Sequence, residues 1–216
     1  MACYGAKGGV GASAVAAALA LIAAREHGRA LLVDLAGDQA DLFGVTPHRP
    51  GLDGWLESAD DLALDALSYL ETPAGGDVGL LARHRTAAPP RPERVAALLA
   101  CCSADSRPGV VDAGLIGTIS GNEAALRACE QVLLVVRPCY LTLRRALEAG
   151  LHPTGIVVVT EPGRALRAGD VAQALGAPVV AELPVDPRVA RVLDAGLVAS
   201  RLPSLFTRPL SGVWHG

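Results

Sequence analysis

The run GAKGGVGASA, Gly5 to Ala14, places four glycines among the seven positions from Gly5 to Gly11. An ordinary strand-to-helix turn has no need of so many. Backbone N–H groups that must approach an anion do need them. The run is of the phosphate-binding kind, G-x-x-x-x-G-K-[ST], with its hydroxyl at Ser13. However, Ala12 stands where the lysine belongs, and a different lysine, Lys7, sits five residues earlier. A short apolar stretch, Ala2–Tyr4, precedes the loop and AVAAALALIAA, Ala14 to Ala24, follows it. Strand, glycine loop and helix in that order aim loop amides and a helix N-terminus at one spot.

Working outward, 216 residues at 51% hydrophobic content suffice for one well-cored domain and are short for two. Aromatic residues make up only 3%, so Ala, Leu and Val must build the core. A net charge of −3 supplies no general field for nucleic acid or an anionic membrane. The five cysteines (Cys3, Cys101, Cys102, Cys129, Cys139) are odd in number and hold no C-x-x-C pair, which fits reduced thiols in a cytoplasm. The apolar run after the loop is too short to span a bilayer, and the REHG stop after it marks a cytoplasmic helix rather than a signal peptide. Of the 19 basic side chains only Lys7 is a lysine. An arginine does not replace a compact ammonium between phosphate oxygens, so that placement favours a functional role.

Short, mostly β-branched runs at Ala2–Tyr4, Ala30–Val33, Val78–Leu81, Val110–Val111, Val132–Val136, Ile156–Val159 and Val179–Ala181 predict strands buried on both faces. Helical patterns fall between them at Ser13–Glu26, Pro92–Cys102, Asn122–Cys129, Leu141–Ala149, Asp170–Leu175 and Pro187–Ala195. Ser120 to Glu123 resembles a capping box and Asp170 a cap, while Gly28, Gly150, Gly176 and Gly196 stand where helices end. Alternation of this kind predicts an α/β fold with a largely parallel sheet covered on both sides. We expect a nucleotide-binding domain over 1–200 and an irregular tail over 201–216, broken by Pro203 and Pro209.

The core KGGVG, Lys7 to Gly11, resembles the deviant phosphate loop of the MinD/ParA family of positioning ATPases, usually K-G-G-V-G-K-[ST]. The resemblance continues along the chain. LLVDLAGDQADL, Leu31 to Leu42, is similar to the family's second strand and first switch, L-L-V-D-x-D-P-Q-x-x-L. GLDGWLES, Gly51 to Ser58, resembles G-L-x-x-x-L; VVDAG, Val110 to Gly114, resembles the Walker B strand; ELPVD, Glu182 to Asp186, resembles the I-P-x-D turn bordering the adenine.

This likeness implies a P-loop NTPase three-layer sandwich that binds ATP or ADP with Mg²⁺. Gly5, Ala6, Lys7, Gly8, Gly9, Val10, Gly11, Ala12, Ser13 and Ala14 would cradle the phosphates, and Pro184 and Asp186 would border the base. Ser13, Asp34 and Asp112 would serve the metal, and Lys7 would act in catalysis across a nucleotide-dependent homodimer. Departures are equally specific. Ala12 replaces the second lysine, Ala36 the carboxylate that positions water, Ala113-Gly114 the Thr-Pro of the second switch, and Thr160-Glu161 an adenine-edge asparagine. Losing one preorganised donor costs about 10²–10³ in rate, so hydrolysis is expected to be weak or absent while binding persists. Glu161 and His152 have no role to carry over and are expected to be solvated, and Trp55 reads as packing.

Two functions follow from the resemblance: a nucleotide-gated positioning or partitioning switch, or a degenerate scaffold that localises a pilus or secretion assembly. RPCYLTLRRA, Arg137 to Ala146, is similar to the pilus-localising branch. Either role requires a further protein partner. DNA binding has little support, since residues 151–216 carry six arginines against five acids. Prolines interrupt the terminal amphipathic helix that peripheral membrane attachment would use.

Overall fold

A computed structural model of the chain describes residues 1–47, 51–58, 65–117 and 122–215. Its elements run β1 (Ala2–Gly5), α1 (Ala12–His27), β2 (Ala30–Asp34), α2 (Gln39–Phe43), α3 (Gly51–Glu57) and α4 (Asp65–Leu70), then β3 (Thr72–Gly75) and β4 (Val78–Ala82). They continue α5 (Pro92–Ser103), β5 (Gly109–Leu115), α6 (Asn122–Ala128), β6 (Val132–Val136), α7 (Tyr140–Glu148), β7 (Gly155–Thr160), α8 (Ala168–Leu175), β8 (Val179–Pro184) and α9 (Pro187–Asp194). One sheet of order β3-β4-β2-β5-β1-β6-β7-β8 joins the strands, parallel throughout except for β3 against β4. Helices pack on both faces over two apolar cores, giving an α/β three-layer sandwich of the P-loop type.

All seven expected strands are present. The additional one, β3, reads as a loop in the sequence because TPAG carries Pro73 and Gly75. It lies at the sheet edge, where a residue without an N–H is tolerated. Gly28, Gly150, Gly176 and Gly196 adopt the left-handed backbone expected of helix ends. Asp170 is not the cap residue: it lies in the first turn of α8 and accepts a hydrogen bond from the Arg167 N–H at 2.7 Å. The expected box at Ser120 lies outside the described residues.

Helix α1 has twelve of its sixteen residues buried, on every side, which is why its sequence shows no polar stripe. The sheet covers one side of it. The chain end covers another, with Val198, Phe206, Leu210 and Val213 in the same core and the Trp214 indole N–H donating to the Leu19 carbonyl at 3.3 Å. Instead of an irregular tail, this segment forms the single turns α10 (Val198–Arg201) and α11 (Ser204–Thr207), followed by 3₁₀ turns at Arg208–Leu210 and Val213–His215. Its prolines stand in or just before the first turns, where a missing N–H costs nothing. Among the described residues no helix is long and apolar enough to cross a membrane.

Strand β1 lies mid-sheet, with β5 and β2 on one side and β6 on the other. In an open parallel sheet the crevice beyond the carboxyl ends of such strands is where ligands bind. The register sets Cys3 beside Asp112 and Asp112 beside Asp34, a row across β1, β5 and β2 under the start of α1.

Candidate nucleotide site

Beyond the end of β1 the glycine loop turns into α1 around a cavity of about 640 Å³. Gly5, Lys7, Gly8, Gly9, Val10, Gly11, Ala12, Ser13 and Ala14 line one wall. Gly9 and Gly11 have φ of +75° and +98° with open space where a Cβ would project, so glycine serves the turn there and not a close contact. Gly5 is different: a Cβ would come 2.7 Å from the Val10 side chain. Ala6 stands at the first glycine of the phosphate-loop pattern and lies buried in the core on the opposite face of the sheet from α1. Its backbone is not left-handed, so an alanine fits.

The opposite wall comes from Ala36, Asp38, Asp41 and Leu42 after β2, from Arg85 after β4, from Gly114 and Leu115 at the end of β5, and from Leu193 and Asp194 of α9. Lys7 is half-buried and, among the described residues, forms no ion pair. Its charge reaches two groups at the ends of β6 and β7. Burial pushes the Cys139 thiol up, but the Thr142 hydroxyl and N–H, with Lys7 and Arg164, bring it below its ordinary value. The Arg164 hydrogen bond, aided by Arg137 and Lys7, holds Glu161 low. Glu161 thus bridges Arg137 and Arg164 and is not simply solvated, whereas His152 is exposed.

Beneath the loop lie two carboxylates. Asp34 and Asp112 are fully buried, and neither lines the cavity. Asp34 accepts N–H bonds from Ala36 (3.0 Å), Gly37 (2.7 Å) and Gln39 (2.9 Å), which fold the loop after β2 back over it. Asp112 accepts from the Gly114 N–H at 3.0 Å and from the Ser13 hydroxyl. Between them sits Gln39, fully buried, whose Nε2 donates to Asp112 Oδ2 at 2.7 Å and to the Ser13 carbonyl at 2.9 Å. Burial is the main cause that raises both carboxyls above their ordinary value, and the charge of Asp112 adds to it at Asp34. Among the described residues Gln39 Oε1 has no hydrogen-bond partner. Sequence reasoning missed this residue. Its signal was a lone amide five positions after a strand-end aspartate, in a stretch otherwise apolar or acidic.

No protein-family model matches the chain. It is 34% identical to the uncharacterized protein Rv3660c of Mycobacterium tuberculosis over 231 aligned positions, covering 95% of this chain. The chain spans 60% of the length of that relative and of its equally similar counterpart in a second strain. Among solved structures, a ParA family ATPase from Chlorobium tepidum superposes with a TM-score of 0.78 at 18% identity, covering 100% of this chain and 96% of its own. Septum site-determining MinD from Pyrococcus horikoshii, complexed with Mg-ADP, gives 0.74 at 18%, covering 98% and 93%. A chain of the Aquifex aeolicus MinC:MinD cell division protein complex gives 0.74 at 17%, covering 98% and 94%. The chain has the MinD/ParA fold. At such identities the likeness speaks for architecture, not for chemistry.

Within that MinD/ParA architecture the residues singled out from the sequence separate into two groups. The glycine loop, Lys7, Ala12, Ser13 and Ala36 share one cavity. Pro184 and Asp186 do not line it. Asp186 caps α9 through the Arg188 N–H at 2.7 Å and pairs with the Arg188 guanidinium, and Leu193 and Asp194, further along that helix, reach the cavity instead. For magnesium the donors are hard oxygens of the right kind, and this ion keeps several waters. Ser13 is the donor exposed to the cavity. Asp112 stands behind it at hydrogen-bond distance, and Asp34 is committed to backbone N–H groups. Trp55 packs, as expected, with the Arg94 guanidinium 4.3 Å from its ring centre.

Proposed function

We propose that this chain binds Mg·ATP or Mg·ADP in the cavity of the Gly5–Ser13 loop and acts as a nucleotide-gated dimer switch in positioning or partitioning, with little or no hydrolysis. One observation carries the reading: the glycine loop, Lys7 and the Ser13 hydroxyl meet in one cavity at the N-terminus of a sixteen-residue helix. Amides and helix terminus supply the phosphate cradle. When bound, magnesium would neutralise phosphate charge, held by Ser13 with Asp112 through water. Ala36 offers nothing to orient an attacking water, and Ala12 no cation to stabilise the transferring group, so turnover stays slow. Lys7, unpaired among the described residues, is free to reach phosphates held by a second copy. The reading also calls for a protein partner, as MinD has MinC in the Aquifex complex.

A second reading, a nucleotide-free scaffold for a pilus or secretion assembly, draws on Gln39. It already occupies the space between the acids, much as a metal's hydrogen-bonded stand-in would. Sedimentation velocity with and without Mg·ATP decides between them. The switch predicts an ATP-driven dimer in the wild type and none in Lys7→Ala. Identical dimers in both remove Lys7 from the role, and a monomer under every condition supports the scaffold.

A further inference from the structure

Arg85 stands on the rim of the phosphate cavity and belongs to no part of the motif. The strand that delivers it is fastened on every side. The Arg83 N–H donates to the Asp34 carbonyl at 3.3 Å, and the buried Arg83 guanidinium holds the carbonyls of Leu35 (2.9 Å) and Ala88 (2.8 Å). The His84 N–H and Nδ1 lie 2.8 and 2.6 Å from Asp53 Oδ2 on α3. Gly37, at φ +86°, lies so close to the Arg85 backbone that a Cβ would fall 2.7 Å from its N and Cα. The Arg85 side chain, by contrast, is 75% exposed and, among the described residues, makes one ion pair, Nη2 to Asp38 Oδ1 at 2.6 Å. Both partners line the cavity.

We propose that Arg85 is the cis cation that replaces the missing lysine at Ala12, leaving Asp38 to hold the polyphosphate chain of the bound nucleotide. The exchange is cheap. An exposed ion pair contributes about 0–1 kcal/mol, whereas a guanidinium on phosphate makes two parallel charge-assisted bonds. Among the described residues the only cationic side chains lining the cavity are Lys7 and Arg85, against Asp38, Asp41 and Asp194. If Lys7 is directed at a second copy, Arg85 is the positive charge left for a nucleotide bound to its own chain. Asp38 then serves as a parking site that keeps the empty pocket from trapping stray anions.

This rests on the nucleotide reading above, and calorimetry with Mg·ATP, Mg·ADP and AMP separates the two. Arg85→Ala is expected to weaken Mg·ATP about 10-fold, Mg·ADP less and AMP little, an effect set by the usual worth of a charge-assisted bond discounted for exposure. Asp38→Asn is expected to tighten Mg·ATP several-fold, and adding Arg85→Ala to it should cost more than Arg85→Ala costs alone. A merely structural pair would give both single variants the same sign. Arg85→Lys should recover part of the loss, since the charge remains and the fork is gone. Wild type and Arg85→Ala binding ATP equally overturns this proposal alone. A wild type that binds no nucleotide overturns it together with the reading beneath it.

Discussion

Replacing Ala12 by lysine restores the one cation the loop lacks, and its effect is calculable. Ala12 is the first residue of α1 and is one of the residues lining the cavity. A lysine there extends into the cavity and places an ammonium where the loop amides converge. One hydrogen bond between charged partners contributes about 1.5–3 kcal/mol. Ordering the flexible side chain takes back up to about 2. The expected net is a Kd for Mg·ATP lower by about 10-fold, at about 1.4 kcal/mol per decade. Without nucleotide the sign reverses. A positive charge in the first turn of a helix costs about 0.3–1 kcal/mol, so Ala12→Lys melts slightly below wild type when empty and above it when saturated. Hydrolysis stays slow, because Ala36 still leaves water unoriented. Calorimetry, thermal melts with and without nucleotide, and phosphate release on one sample check these outcomes. An Ala12→Lys protein with wild-type affinity means that phosphates do not sit where the loop points.

Gln39→Leu strands the buried Asp112 Oδ2 and removes a second donor from the Ser13 carbonyl, which keeps its bond within α1. A loss of about 2–4 kcal/mol follows, seen as a melting temperature lower by about 4–16 °C; a shift below about 2 °C contradicts the bridging role. The raised pKa values of Asp34 and Asp112 mean that the native state holds protons the unfolded chain has released. The pair's contribution is therefore full below the ordinary carboxylate pKa of about 4 and fades as pH rises toward and past neutrality. Urea unfolding of the magnesium-free protein at rising pH should show falling stability, flatter in Asp34→Asn, and a rise with pH would refute it. Gly37→Ala meets both a left-handed backbone and the Arg85 main chain, for a cost of about 2–4 kcal/mol. Gly9→Ala, with open space around it, should cost only about 1–2; equal losses would deny the close approach.

Much of this molecule was legible in its residues. Seven strands announced themselves as apolar runs because parallel strands covered on both faces need no polar alternation. The glycine loop was legible because its backbone requirements are written in residue type. The tail was harder, since prolines cut its helices to single turns and removed the period that reveals them. β3 hid for a related reason, an edge strand being free to carry proline. At the site, the limit was topological. Nothing in the sequence says that the residue three after β4 folds over the loop after β2, so Arg85 was invisible as a pocket residue. Asp186 resembled a base-edge residue but spends its carboxylate on capping α9, a local demand met two residues away. Asp34 and Asp112 were found by pattern, yet their burial beneath Gln39 follows from packing that only the fold displays.

The claim on which the rest turns is that the loop amides hold a triphosphate without the usual lysine. Titrating the wild-type chain with Mg·ATP in a calorimeter tests it most directly. Saturable heat at about one nucleotide per chain is the expected result, and a flat titration at millimolar nucleotide contradicts it.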